Sequence, residues 1–371
     1  MRKFKLRANR KHRVLDVLMT VFVAGALIPR AAEAQTATAK PAASGFDFGA
    51  KKVTARTSGV RLDGNAFIKS PQLDARANTV AFDFAGRAVT SVRAQGAVNL
   101  KVNLLPRGGG TAARIETKSN AATLDPVNRV LVLTGNISGF YQLQGGARNS
   151  LSGTKATISY PANGQFTAVV EGGTGGVRIV LPQVVGATPG VGNIGTVVVT
   201  ARNLSINSQD GTATFAGNAR AISNDGATKF DIAAPSFVLR RNPTTSALES
   251  LRSTGRTLLK VDLPQNAIAA ATTPTSTPSS STAARPTYIE VASDAVVVLG
   301  GANGAQLGTL TFEGNVSGFY RLVGSDGAVS NFPFKGDRAV IQNTGSATDN
   351  FQLEVTGAPV EIQAPTFDLG F

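Results

Sequence analysis

The sequence predicts an all-β fold of repeated antiparallel units, arranged as two tandem related halves. Three observations predict it. Residues 135–143 read GNISGFYQL and residues 314–322 read GNVSGFYRL. Weaker echoes at Asp63-Gly64-Asn65-Ala66 and Ala216-Gly217-Asn218-Ala219 complete an A-B-A′-B′ order. Self-similarity at long period points to one supersecondary unit stacked on copies of itself. The composition, rich in Gly, Thr, Val, Ala and Asn, falls into alternating runs punctuated by Gly-Asn, Asp-Gly, Asn-Gly and Gly-Gly. That is the pattern of many short strands joined by tight turns. No segment beyond the first 34 residues carries a 3.6-residue apolar period.

Residues 1–34 read as a signal peptide. Arg2, Lys3, Lys5, Arg7, Arg10, Lys11 and Arg13 form a basic start, Val17–Ile28 is a short apolar run, and Ala32-Glu33-Ala34 is a small-residue cleavage site. The apolar run is too short for a membrane span, which takes roughly 20 residues. An exported chain in the periplasm is expected, with outer-membrane association left open. Cleavage would remove both Met residues and the single His, and the chain has no Cys or Trp. A disulfide framework and a lipidated Cys anchor are thereby excluded. The net charge of +14 falls to about +8 without the leader, which favours anionic partners such as a phosphorylated glycolipid, or serves solubility alone. No nucleic-acid partner is expected.

Residues 45–187 carry repeats A and B, and residues 196–371 carry A′ and B′, with the break near residues 185–195. Each repeat closes on an apolar strand ending in Pro: Val102–Pro106, Val177–Pro182, Leu259–Pro264 and Val360–Pro365. Pro cannot donate to a ladder and so marks where the strand stops. The Thr/Ser/Pro/Ala stretch at 265–287 has nothing to bury and reads as a disordered loop.

Strand alternation assigns faces. In B, Leu131, Leu133, Ile137, Tyr141 and Leu143 share one side; in B′, Leu310, Phe312, Val316, Tyr320 and Leu322 match them position for position. Val60, Leu62, Ala66 and Ile68 in A, and Ala213, Phe215, Ala219 and Ala221 in A′, agree with smaller residues. One apolar face therefore runs through all four units. Leu131, Leu133, Ile137, Tyr141, Leu310, Phe312, Val316 and Tyr320 are the candidate ligand-binding residues, and the same set is equally the sealed core of a sandwich or solenoid.

Catalysis is not expected. Without the leader there is no His or Cys for a nucleophilic triad, a dyad or an ordinary zinc site. Gly172–Gly176 and Arg107–Gly110 are Gly-rich but lack the Lys-Ser/Thr of a phosphate loop. The acids fall in turns (Asp125, Asp210, Asp225, Asp326) or alternate outward (Glu313, Glu361), with no glycosidase-like pair standing out. No cofactor and no metal site are expected.

The strand–Gly-Asn–strand units (Leu131–Leu143, Leu310–Leu322), the exported start and the closing segments Phe166–Leu181 and Phe351–Ile362 resemble the OstA-like, LptA-type family of periplasmic proteins. The resemblance covers most of residues 46–371 and rests on rhythm rather than on a sharp motif. It implies a twisted β-jellyroll (a β-taco, solenoid-like), open along one edge, whose apolar interior shelters lipid acyl chains. It further implies a role in lipopolysaccharide export, with lipopolysaccharide or another anionic glycolipid as ligand. Partners would be other β-jellyroll transport proteins, joined by edge-strand pairing, with head-to-tail self-association.

Physical sense accommodates this implication. Each CH₂ sheltered from water is worth roughly 0.8 kcal/mol, and basic rims would receive phosphates. Arg129, Arg148, Lys155, Arg321, Lys335 and Arg338 are the candidate rim charges. Two other functions compete. One is a non-enzymatic surface or structural β-repeat, adhesin-like, with a sealed core. The other is an outer-membrane barrel, suggested by the alternating Phe367, Leu369 and Phe371 at the end. Four Tyr are too few for two aromatic girdles, and the strands read as too short for the roughly ten-residue spans a barrel needs.

Overall fold

The computed structural model describes residues 47–70, 73–86, 88–104, 113–143, 146–160, 165–182, 195–225, 229–242, 248–262, 285–300, 307–323, 328–343 and 351–362. The expected signal peptide, residues 265–284 of the Thr/Ser/Pro/Ala stretch and the terminal Phe367-Leu369-Phe371 pattern lie outside these residues. Strand begins at Arg285, so Arg285–Thr287 are extended rather than the tail of the loop.

The fold is all-β, and every strand pairing among the described residues is antiparallel. The strands differ from expectation in length. Gly-Asn does not separate short strands; it lies inside long ones, and the longest strands, Ala88–Leu104 and Leu307–Val323, have 17 residues each. The length objection to a barrel therefore falls, while the scarcity of Tyr and Trp stands. The reason is local backbone geometry. Gly64, Gly135, Gly217 and Gly314 have φ of 80°, 76°, 83° and 72°, and the following Asn65, Asn136, Asn218 and Asn315 lie at 46–53°. Asn is the side-chain-bearing residue that best tolerates this left-handed region. The pair forms a bulge that bends the strand without ending it, and the register jumps across it, from Asp63 to Ala66, Ala216 to Ala219 and Glu313 to Val316. Two residues of the Gly-Asn strand face one of its partner. Inward parity is therefore kept on the Gly-Asn strand, from Leu62 to Ala66 and Phe312 to Val316, and shifts by one on the partner, from Ala77 to Val80 and Ala234 to Phe237.

The chain divides into two compact units, residues 1–140 with 154–166, and residues 141–153 with 167–371. In the first, β1 (Asp47–Gly49) and β2 (Lys52–Arg56) pair with the two halves of β3 (Gly59–Lys69). A meander follows through β4 (Leu73–Ala85), β5 (Ala88–Leu104) and β6 (Ala113–Asp125). Bends line up along it. Gly96-Ala97 in β5 adopts the same left-handed pair (φ 75° and 48°), although no Gly-Asn marks it. Asn78 and Asn120 on the neighbouring strands sit directly against Gly96 and Gly135. β7 (Val130–Leu143) and β8 (Asn149–Ser159) each divide between the two units, at Phe140/Tyr141 and Gly153/Thr154.

In the second unit the bends separate two arms. One arm holds β10 (Val177–Leu181), β11 (Val197–Ala201), the second half of β13 (Thr212–Ser223), the first half of β14 (Lys229–Arg241), β16 (Thr257–Asp262) and β17 (Arg285–Ser293). The second half of β19 (Leu307–Val323), the first half of β20 (Val329–Asn343) and β22 (Glu361–Ile362) complete it. The other arm holds β9 (Thr167–Glu171), β12 (Asn203–Asn207), the complementary halves of β13, β14, β19 and β20, β15 (Leu248–Thr254), β18 (Ala295–Gly300) and β21 (Phe351–Thr356).

Single residues join the short strands at the corner. The Arg202 N–H donates to the carbonyls of Ala216 and Gly217, and the Asp294 N–H to those of Glu313 and Gly314. Each arm buries its alternate residues in a cross-strand row. One row runs Ile179, Val199, Ala221, Ile232, Leu259 and Val291; the other runs Ile206, Ala213, Leu239, Leu251, Val298, Leu310 and Ile341. All of these residues are buried, and their apolar area supplies the main cohesion of a chain with no disulfide.

Candidate apolar binding face

The residues assigned to the shared face are inward, as parity requires. Leu131, Leu133 and Ile137 of β7 are buried, Leu133 completely. Leu310, Phe312 and Val316 of β19 are buried too, with Phe312 at 0% exposure between Val296 and Ala339. Tyr141 and Tyr320, further from the bends, are only half-buried. Burial therefore grades along β19, from sealed near the bend to half-open at the tip. Tyr320 stands opposite Ile289 and Phe332, and its ring stacks on Phe332 with centroids 4.9 Å apart and planes 8° from parallel. Leu322 beside them is half-buried as well. Desolvation raises the Tyr320 hydroxyl above its usual pKa.

The candidate rim charges do not gather at this mouth. Arg321 lies on the outward face of β19, its guanidinium 5.0 Å from the Tyr288 ring and its Nε donating to Asn331 Oδ1 at 3.2 Å. Lys335 is an exposed outward residue paired with Glu361 at 3.3 Å, and Arg338 is exposed opposite Glu313. Arg148 and Lys155 are exposed. Arg129 precedes β7, where its carbonyl accepts the Tyr160 N–H at 3.1 Å. Burial pushes the Tyr160 hydroxyl up to about 12, with the charge of Arg129 opposing.

An inward charge that the sequence reading missed is Arg241. It continues the inward series Ile232, Ala234, Phe237, Leu239 of β14. Its Nη1 donates to Asn149 Oδ1 at 3.0 Å, and it interacts electrostatically with Tyr141. The available signal was parity: Phe237, Leu239 and Arg241 alternate in the sequence, and only the first half of that pattern looks like a core strand.

Asp125 and Asp210 are held in their turns by local hydrogen bonds. Asp125 accepts the N–H groups of Val127 and Asn128 at 2.9 Å each, which holds its carboxyl below the ordinary value. Asp210 accepts from the Thr212 N–H and hydroxyl. Among the described residues no cluster of three potential metal ligands occurs, and no helix is long and apolar enough to cross a membrane. A polar depression of about 280 Å³ on the outer face of the first unit is lined by Arg61, Thr79, Ala81, Arg93 and Gln95. Its two arginines already engage Asp63 and Asp83.

No family model matches the chain, and no curated protein matches it. Among solved structures it is similar to the crystal structure of LptH, the LptA-homologous periplasmic component of the lipopolysaccharide transport device from Pseudomonas aeruginosa. The identity is 12% and the TM-score 0.25, over 31% of this chain and 76% of that one. Overlap of that extent carries no argument about function.

Proposed function

We propose that this chain is a non-enzymatic periplasmic lipid-binding protein of lipopolysaccharide export, taking acyl chains against the inward face of a bent, jellyroll-like β-fold. The observation that carries the reading is the gradient along β19. Phe312 and Val316 are sealed, whereas Tyr320, Leu322 and Phe332 leave apolar surface half-open at the arm tip. An apolar mouth leading to an apolar interior suits an amphiphile whose tails must leave water and whose headgroup must not. In this reading the deep residues Leu133 and Phe312 hold the arms together, and the tip residues touch lipid.

The competing reading is a structural or adhesive β-repeat with no ligand, and the complete burial of Leu133 and Phe312 favours it. Titrating the purified protein with lipopolysaccharide separates the two. Saturable binding that Tyr320→Asp and Leu322→Asp each weaken at least tenfold, with their melting transitions retained, is the expected result. Absence of saturable binding by the wild-type protein sinks the lipid reading and leaves the sealed repeat.

A further inference from the structure

We infer that Arg241, held by Asn149, forms a seat for a phosphate monoester at the arm tips of the second unit. The inference rests on the lipid-binding reading only for the source of the phosphate, which is either the headgroup of a bound amphiphile or a free anion.

The placement follows from strand pairing. Along one arm, Val180 faces Ser150, Leu181 faces Val197, Val197 faces Ser223, and Ser223 faces Phe230. Asn149, next to Ser150, thus ends its strand at the tip of that arm, furthest from the bends. Along the other arm, Thr167 faces Asn207, Asn207 faces Thr212, and Thr212 faces Arg240. Arg241 therefore ends β14 at the opposite tip, its N–H held by the Gly211 carbonyl at 3.0 Å. The 3.0 Å hydrogen bond between the two side chains reaches from one arm tip to the other. Asn149 is only 4% exposed, and its own Nδ2 donates to the Ala147 carbonyl at 3.4 Å, which fixes its oxygen towards Arg241.

The charge at this seat is unneutralised. Several outward arginines carry carboxylate partners: Arg61 with Asp63, Arg93 with Asp83, Arg220 with Asp231, and Arg240, the neighbour of Arg241, with Glu249. Arg241 has an amide oxygen instead, and among the described residues no carboxylate lies within ion-pairing distance of it. Burial works against its charged form, and Tyr141 beside it is desolvated too. A guanidinium has five N–H donors in a planar fork, and one amide oxygen leaves most of them free for a tetrahedral oxyanion. A carboxylate from the protein would have stabilised the site permanently; an amide leaves it competent for an external anion.

Calorimetric titration of the full protein with decyl phosphate, 1-decanol and inorganic phosphate tests this. Arg241→Gln is expected to weaken decyl phosphate at least tenfold and leave 1-decanol unchanged, while Arg241→Lys retains most of the affinity. Asn149→Asp gives Arg241 an internal carboxylate; it is expected to raise the melting temperature and exclude decyl phosphate at least tenfold, so the test survives if Arg241→Gln does not fold. Equal affinity of wild type, Arg241→Gln and Asn149→Asp for decyl phosphate overturns the seat and leaves the lipid reading intact. Arg241-dependent binding of inorganic phosphate with no binding of either decyl compound supports the seat and removes the lipid. No binding of any phosphate probe overturns the seat.

Discussion

Asn136 and Asn315 are left-handed residues in the middle of strands, and the glycine before each is there for a spatial reason too. A Cβ on Gly135 would come within 2.5 Å of the Asn120 side chain, and one on Gly314 within 2.8 Å of Asp294 Oδ2. Gly135→Ala therefore meets both a disfavoured φ and a close neighbour, and is expected to cost about 1–3 kcal/mol, read as a lowered midpoint in urea unfolding. Tyr160 gives a second residue-scale expectation. Its folded-state pKa of about 12 lies above the usual tyrosine value of 10. The unfolded chain thus releases this proton first, so the stability from the neutral phenol is complete below pH 10 and is lost as pH rises towards about 12. Melting temperatures across that window should fall less steeply for Tyr160→Phe than for wild type. At this scale the sequence marks the left-handed positions at four Gly-Asn pairs among the described residues, though it reads them as breaks rather than bends. Gly96-Ala97 escaped because alanine gives no sign of a left-handed backbone, and its partner Asn78 is identifiable only once the register is known.

Elements were readable in their faces and not in their lengths. The inward parity of Leu131, Leu133, Leu310 and Phe312 follows from alternation alone, whereas the one-residue shift on partner strands, from Ala234 to Phe237, depends on the register. Whether Gly-Asn ends a strand or bends it depends on whether the next strand continues alongside, which is a non-local fact. Polar groups near the corner of β15 and β16 show the same dependence. Ser253 Oγ accepts the Val296 N–H at 2.8 Å and shares a 2.7 Å hydrogen bond with Thr257, whose hydroxyl also donates to the Gly255 carbonyl. Ser223, equally buried, has no partner for its hydroxyl. Removing a buried partner leaves an unsatisfied group and costs about 1–3 kcal/mol, whereas removing an already unsatisfied one does not. Ser253→Ala should thus lower the unfolding free energy by that amount, with Ser223→Ala neutral or stabilising, as chemical denaturation of the pair will show.

The whole molecule presents strand edges at both ends of its described chain. Among the described residues β1 and β2 pair only with β3, and β21 and β22 pair only with β20. Such edges are templates for another chain unless charge guards them. Head-to-tail association is accordingly proposed, and Gln352→Lys with Glu354→Lys on β21 should reduce the mass-average by sedimentation towards the single chain. The wild-type protein remaining a single chain at high concentration would oppose the idea. Part of the candidate site was legible at this scale, since the apolar face emerged from repetition. The seat at Arg241 was not, because Asn149 lies 92 positions away and reaches it only after the arms are folded.

The two-against-one bend also bears on how a protein of this kind can change its size. A strand pair that carries its own left-handed dipeptide brings a complete inner row and a complete outer row with it. Duplicating such a pair therefore extends the stack without turning any existing side chain inside out. The A-B-A′-B′ order is what that mode of growth would leave behind. Length becomes a freely varied trait, while a single-residue insertion away from a bend would exchange the inward and outward rows beyond it.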